Sequence, residues 1–405
     1  MKEKQLPKLT SYRWVILAIA AGLDAISNYV QFQISALATQ IMPALHITPA
    51  QFSSLLMAPM LVAVFLSIPA GSLADRYGAK KVVTVGLVIS VIGAFGRLWA
   101  SNFISLMIML LMFGVYMALL NANTIKIFGI WFKQDTNTAM GIFFAAASIG
   151  IMLSQITGPM FPSVQAAYIF SSVVLLVLAV CWVLFVRDVP KGEEIPKQAG
   201  QAAKTESSLS YFKVAAKSGK TWIVGICGGC GTAASMAFSG ILPQAFAAKG
   251  MSPAQAGQVA AIATIGSLCG SMFGPAIVSK FGKAKPVMIL VTLLSAVLMA
   301  ATWYIPVGPV LLVVLILGGL FGAITGPIIQ ALPIQFPEIG PKYAGSAGGL
   351  VGTISLLLSY IVPVIISSIA GANFMLTFII QGTIFGVTAI LMAILPDANA
   401  ARHHR

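Results

Sequence analysis

Long apolar blocks follow one another along this chain, separated by short polar segments. Each block has about 20 residues or more, the length that an α-helix needs to cross the hydrocarbon core of a bilayer. The blocks are continuously apolar and do not alternate residue by residue, as strands of a membrane barrel would. The pattern predicts twelve membrane-spanning helices at 14–40, 49–70, 82–100, 104–132, 138–160, 166–186, 221–247, 253–278, 285–304, 309–336, 342–368 and 373–395.

The composition leads to the same class of protein. Hydrophobic residues make up 58% of the 405 residues and charged residues only 8%, with a mean hydropathy of +0.95. Soluble domains carry about 25% charged residues. The sequence therefore predicts an all-α membrane protein and argues against a soluble one.

The basic residues show which side of the membrane the connections occupy. The formal net charge is +14, and 21 of the 24 Lys and Arg residues lie on one side of a twelve-helix topology; Arg97, Lys126 and Lys249 do not. Because Lys and Arg concentrate in cytoplasmic loops, both termini are expected in the cytoplasm of a multi-pass protein of the cytoplasmic membrane. The basic excess is then a topology signal, and no nucleic-acid partner is predicted.

Residues that could support catalysis or hold a metal are scarce. The chain offers no nucleophile with a matching base and no paired carboxylates, and its three histidines lack metal-ligand spacing. We therefore predict no enzymatic activity, no metal and no cofactor. Cys227-Gly-Gly-Cys230 has redox-motif spacing, but it lies in an apolar block without the βαβ context of such motifs, which favours a packing role.

One long polar stretch divides the chain into two groups of six apolar blocks. It runs from Arg187 to Lys220 and is rich in charge, Gly and Ser. The sequence thus predicts an N-terminal six-helix bundle at 1–186, a cytoplasmic linker at 187–220 and a C-terminal six-helix bundle at 221–405.

A charged stretch after the second block carries the most specific motif, Gly71-Ser-Leu-Ala-Asp-Arg-Tyr-Gly-Ala-Lys-Lys81. Its small residues followed by Asp-Arg-x-Gly-x-Lys-Lys resemble the loop after the second helix of major facilitator superfamily transporters. The stretch 274–285, after the eighth block, echoes it with Ser279 in place of the Asp. The resemblance implies two pseudo-symmetric six-helix bundles that hold a substrate near the midplane between them.

The resemblance also implies that this loop is a latch for the outward-facing state. Asp75 would lie near the N-terminus of the eleventh helix, where exposed N–H groups favour an anion. The glycines would allow close helix approach and a tight reversal, and the basic residues would contact headgroups and bridge to acids such as Asp135. A simply solvated charged loop is the alternative. The expected latch comprises Gly71, Asp75, Arg76, Gly78, Lys80 and Lys81.

Charged residues inside apolar blocks are costly and mark functional candidates. Asp24, about 16 Å into the first block, is expected to carry a coupling proton, because a carboxyl group out of water is more stable when neutral. Lys126, in the fourth block, is expected to attract an anionic group of the substrate. A static Asp24–Lys126 ion pair, or a Lys126 that snorkels to the interface, are the alternatives. Arg97, near the end of the third block, is expected to snorkel.

Uncharged polar residues add candidates for substrate contact. They concentrate in the helices that would line a central cavity, although any one of them could equally join two helices. Asn28 follows Asp24 by four residues and therefore shares its helical face. With Lys126, the predicted substrate-binding residues are Asn28, Tyr29, Asn121, Asn123, Gln330 and Tyr360.

Together these features predict a secondary transporter that moves a small organic anion, a carboxylate, by alternating access. The stretch 131–141 is similar to the oxalate/formate antiporter and monocarboxylate branch of the superfamily, and transport would be proton-coupled or by exchange. A proton-coupled exporter of drugs or metabolites on the same fold is the alternative. The expected partners are the small-molecule substrate, a proton or counter-anion and membrane lipid, and a monomer is compatible with the sequence.

Overall fold

The computed structural model describes residues 11–190, 213–214, 216–280, 284–332, 336 and 339–395, and all regular structure in these ranges is helical. Thirteen α-helices have both of their bounds in these ranges; numbered here in chain order, they are α1 (Arg13–Ala36), α2 (Ala38–Leu45), α3 (Pro49–Tyr77), α4 (Ala79–Gly96), α5 (Phe103–Phe132), α6 (Thr136–Thr157), α7 (Val164–Phe185), α8 (Gly219–Ala248), α9 (Pro253–Lys280), α10 (Ala284–Ala301), α11 (Pro309–Ala331), α12 (Gly340–Ala370) and α13 (Phe374–Ile394).

Each predicted block corresponds to one long helix. Eleven helices in the described part of the chain are long and apolar enough to span a membrane, and the apolar part of α10, Lys285–Ala301, is slightly shorter. The predicted end of the first block was wrong, because the chain breaks at Leu37 and continues as the short helix α2. The apolar pattern runs through this break, so hydropathy alone did not reveal it.

The two halves of the chain repeat the same helix packing. In the first half α1 packs on α6 and α3 on α5, and in the second half α8 packs on α12 and α9 on α11. Further contacts join the halves, chiefly α3 with α12 and α6 with α9. The predicted boundary at 187–220 stays a prediction, since residues 191–212 lie outside the described ranges.

We name the two ends of the bundle by one residue each. The Arg13 face carries the start of α1 and the α3–α4 connection, and the Lys249 face carries the α2 region and the α8–α9 connection. A helix that leaves one face arrives at the other, so the position of a residue along its helix gives its distance from each face.

The halves are held together near the Lys249 face by uncharged hydrogen bonds. Ser35 Oγ donates to the backbone oxygen of Gly240 at 2.5 Å, and the hydroxyls of Ser53 and Ser367 lie 2.5 Å apart. Gln155 adds a third hydrogen bond between the halves. Its Nε2 donates to the backbone oxygen of Ser239 at 3.0 Å.

Glycine also brings α6 and α9 close together at this face. A Cβ atom at Gly257 would overlap the backbone oxygen of Gln155, so only a residue without a side chain allows the approach. The hydrogen bonds described at the Arg13 face, in contrast, join elements of the same half. This conformation is therefore closed at the Lys249 face.

We expect a cysteine pair at Ser53 and Ser367 to cross-link across the closed face. The two hydroxyl oxygens are close, and disulfide formation needs Cβ atoms about 4 Å apart. The pair would be introduced after replacement of Cys181, Cys227, Cys230 and Cys269, and cross-linking would be followed in isolated membranes under mild oxidation by thiol labelling.

The matched control pairs Ser53→Cys with Ser368→Cys. Ser368 is the next residue of α12, is exposed and donates to Val364 of its own helix. Equal cross-linking yields for the two pairs would contradict the closed arrangement.

Candidate functional site

Asp24 lies in the middle of α1 with 3% of its surface exposed. Next to it, the hydroxyl oxygens of Ser27 and Tyr116 contact each other, and each lies within hydrogen-bond distance of the backbone oxygen of Leu23, at 2.7 and 3.0 Å. Tyr116 belongs to α5, so this cluster joins α1 to α5 beside the acid. Ser27 and Tyr116 were not predicted from the sequence, since residues so far apart in the chain give no shared pattern.

Lys126 is half-buried on α5, about 9 Å from the end of that helix at the Arg13 face. An ion pair between Lys126 and Asp24 is not among those that the described residues form within 4.0 Å, where Arg13 pairs with Asp135. The static Asp24–Lys126 pair considered from the sequence is therefore not present in this conformation.

Three of the uncharged candidates for substrate contact form hydrogen bonds within the protein. Asn28 Nδ2 donates to the backbone oxygen of Asp24 at 2.9 Å, and Asn123 Nδ2 to that of Leu119 at 2.8 Å. The hydroxyl of Tyr29 lies 2.7 Å from that of Thr157 on α6. These three amide and hydroxyl groups thus stabilise helices in this conformation.

Three further candidates lie elsewhere. Asn121 is exposed on α5 and Tyr360 is half-buried on α12. Gln330 belongs to α11, but its side chain lies outside the described part of the structure. Their contact with a substrate stays a prediction.

The predicted latch loop is mostly helical. Helix α3 continues through Gly71 to Tyr77, and Gly78 alone connects it to α4. Gly78 has φ +90°, a conformation that favours glycine, in line with the expected tight reversal. A Cβ at Gly71 would meet none of the described atoms within 4 Å, and close helix approach at Gly71 stays a prediction.

The charged residues of this motif have other partners than expected. The Arg76 guanidinium lies 5.1 Å from the centre of the Tyr77 ring, and Lys81 is exposed. Asp135 pairs with Arg13 at 3.0 Å and not with the basic residues of the motif. The side chain of Asp75 lies outside the described part of the structure, so its place near the eleventh helix stays a prediction.

Asp188 is a residue that sequence reasoning missed. Its Oδ1 accepts a hydrogen bond from the backbone N–H of Lys80 at 2.7 Å, at the first turn of α4, and a Cβ at Gly78 would lie 2.8 Å from its Oδ2. A carboxylate satisfies the exposed N–H groups of a helix start and their partial positive charge. No local pattern could indicate this cap, because Asp188 follows α7 and caps a distant helix.

The expectation that Arg97 snorkels was wrong. The side chain is 2% exposed, its Nη2 donates to Ser171 Oγ at 3.1 Å, and its guanidinium lies 4.3 Å from the centre of the Tyr168 ring. Ser171 in turn donates to Gln33 of α1 at 3.0 Å. Packing between α4 and α7 thus holds the arginine inside the protein.

Lys249 is the third basic residue that does not lie on the predicted cytoplasmic side. It belongs to the α8–α9 connection. Its Nζ donates to the backbone oxygen of Ile305 at 2.9 Å and lies 4.9 Å from the centre of the Trp303 ring. Burial lowers the pKa of its ammonium group. Its contacts are those of a structural cation.

Comparison with known proteins identifies the family. The family model described as Major Facilitator Superfamily matches residues 17–363 and 224–405. The fold is similar to that of a D-xylose-proton symporter, with a TM-score of 0.74, 16% identity and coverage of 96% of this chain and 99% of that one. It is also similar to a bacterial homologue of the human lysosomal transporter Spinster in an inward-facing conformation, with a TM-score of 0.69, 15% identity and coverage of 97% and 96%.

Three curated relatives share part of the sequence. A galacturonate transporter of Dickeya chrysanthemi is 23% identical over 49% of this chain and 62% of its own length. A hexuronate transporter of Bacillus subtilis is 28% identical over 34% of this chain and 33% of its own length. The chain thus matches less than two thirds of either. A nitrite extrusion protein of Bacillus subtilis is 23% identical over 84% of this chain and 83% of its own length.

Removal of the Asp188 carboxylate should destabilise the first half. Loss of a helix cap costs about 0.5–2 kcal/mol, so Asp188→Ala should lower the melting temperature of the purified protein in detergent by a few degrees. Asp188→Asn keeps an acceptor oxygen and should have a smaller effect.

Asp135→Ala is the matched control. It breaks an exposed ion pair, which contributes about 1 kcal/mol or less. If Asp188→Ala lowered the melting temperature no more than Asp135→Ala, Asp188 would not be an important cap.

Proposed function

Because the chain belongs to the major facilitator superfamily of transporters, we propose that it carries a small organic anion with a carboxylate group across the cytoplasmic membrane by alternating access. The observation on which this depends is the arrangement of Asp24 and Lys126. Asp24 is an acid buried in α1, and Lys126 is a half-buried amine on α5 of the same half; an acid and an amine inside apolar helices can serve separate roles, one for a proton and one for an anion.

The anionic class of the substrate has two supports. Lys126 is a cation set back from the end of an apolar helix, where an opposite charge on a substrate would interact strongly. The three curated relatives are named for galacturonate, hexuronate and nitrite, all anions. Galacturonate and the hexuronates carry one carboxylate each, which suits one amine.

Asp24 is the proposed carrier of the coupling proton. A carboxyl group removed from water is stable when protonated and costly when charged, so its protonation can be tied to the conformation that exposes it to water. The hydroxyls of Ser27 and Tyr116 beside it give α1 and α5 a shared polar contact at that depth. Exchange of one anion for another is the alternative form of coupling.

The closed Lys249 face bears on which state of the proposed transport cycle this conformation represents. If the positive-inside rule puts the Arg13 face in the cytoplasm, the face closed by Ser35, Ser53 and Gln155 is the extracellular one. We therefore interpret this conformation as inward-facing, with both termini in the cytoplasm.

Export is the second candidate direction. The nitrite extrusion protein is matched over 84% of this chain, far more than either sugar-acid transporter. An exporter of anionic metabolites would use the same Asp24 and Lys126 with the proton moving in the opposite direction to the substrate.

Transport should depend on a proton gradient through Asp24. Purified protein in liposomes is expected to accumulate radiolabelled glucuronate or galacturonate when a pH gradient is imposed. Asp24→Asn should lose this accumulation but keep counterflow between equal pools of substrate, because the variant mimics the protonated acid.

The control is Asp135→Asn, which removes an exposed acid and should keep the gradient dependence. Gradient dependence that survives in Asp24→Asn would contradict the proton role. Uptake by the wild type that ignores pH but requires substrate inside the vesicle would support exchange.

Replacement of Lys126 should weaken recognition of the anion. Lys126→Gln is expected to raise the KM for glucuronate counterflow about tenfold or more, since charge-assisted hydrogen bonds are the stronger kind. Lys133→Gln, at an exposed position just beyond the end of the same helix, is the control. An unchanged KM in Lys126→Gln would exclude Lys126 from the substrate site.

A further inference from the structure

A cavity of about 370 Å³ lies at the Lys249 face of the first half. Its walls come from α2, from the turn that follows α4 and from the start of α7. The polar residues that line it are Gln40, Arg97, Ser163, Gln165 and Tyr168. Asp24 and Lys126 do not line it, so this cavity is separate from the proposed transport site.

The charge of Arg97, on the wall of this cavity, is not balanced by any acid nearby. Among the described residues no ion pair includes Arg97. The connections at this face, at 37–48, 97–102, 158–163, 249–252, 302–308 and 371–373, contain no Asp or Glu. A buried cation without an opposite charge is costly, so an anion from outside the chain would stabilise it.

One nitrogen of the Arg97 guanidinium has no hydrogen-bond partner. Nε donates to the backbone oxygen of Ala94 at 3.1 Å, Nη2 donates to Ser171, and one side of the guanidinium is near the Tyr168 ring. Nη1 is buried and has no hydrogen-bond partner. An oxygen acceptor in the cavity would complete this set after a small movement of the side chain.

The start of α7 adds a second positive feature to the same cavity. Ser163 caps this 22-residue helix by accepting the N–H of Ala166 at 3.1 Å, and Val164 and Gln165 line the cavity. The N-terminus of a helix carries a partial positive charge and N–H groups that favour anions. Arg97 and the N-terminus of α7 therefore line the same cavity.

We propose that this cavity is a second anion site, which binds a carboxylate or phosphate group through Arg97 and the N-terminus of α7. The volume is in the range of small-molecule sites. The shared chemistry is an oxyanion, which can arrive as a free solute or as the headgroup of a phospholipid. The proposal does not depend on transport and would hold for a carrier of any substrate.

The test is calorimetric titration of the delipidated full-length protein in an uncharged detergent. Sodium glucuronate and inorganic phosphate are the probes for a free solute, and phosphatidylglycerol in mixed micelles is the probe for a headgroup. Wild-type protein should bind at least one probe, and Arg97→Gln should weaken that binding about tenfold or more. The probe that binds identifies the source of the anion.

A second variant keeps the test decisive if Arg97→Gln fails to fold. Gln165 is exposed at the cavity, so Gln165→Glu should fold normally while its carboxylate occupies the place of the anion and weakens binding. Lys249→Gln removes one positive charge from the same face, but its amine bonds to backbone oxygens outside the cavity, so binding should be unchanged.

Three outcomes would overturn the proposal. They are a wild type that binds none of the probes, equal binding by the wild type and Gln165→Glu, and binding that Lys126→Gln abolishes while Arg97→Gln keeps it. The last result would assign the anion to the transport site instead. Failure of glucuronate transport in liposomes would bear on the proposed function alone.

Discussion

The structure depends on the need of every polar group at membrane depth to find a partner within the protein, because lipid offers none. Most side chains meet this need locally, as Thr124 does by donating to the backbone oxygen of Leu120, one turn earlier on the same helix. Groups that bond further away, such as Tyr116 to Leu23, join helices. The few buried groups left without a partner, such as Arg97 Nη1, therefore mark places that something else can fill.

The same rule shapes the contact between the halves. It is made of hydroxyl and amide groups and a close glycine crossing, with no ion pair among its described hydrogen bonds. Hydrogen bonds between membrane helices contribute about 0.6 kcal/mol each on average. A closure built from several such bonds is specific in geometry but small in free energy, which suits a contact that the proposed alternating access would break and form again.

The helices and the depth of Asp24 could be predicted from the sequence, because both follow from unbroken apolar blocks. Features that depend on distant residues could not. Arg97 near a block end looked like a snorkelling side chain, and only the packing of Ser171 against it shows otherwise. The charged stretch 71–81 suggested a loop, whereas most of it is helical and Gly78 alone reverses the chain. Asp188 caps a helix more than a hundred residues earlier, which no local pattern encodes.

The connection at Gly78 leaves almost no slack between α3 and α4. Its N–H is bonded to Ala74 at 3.0 Å, and the carboxylate of Asp188 ties the start of α4 to the end of α7. A tilt of α3 must therefore drag α4 and α7 with it. At the Arg13 face these three helices of the first half would then move as one unit.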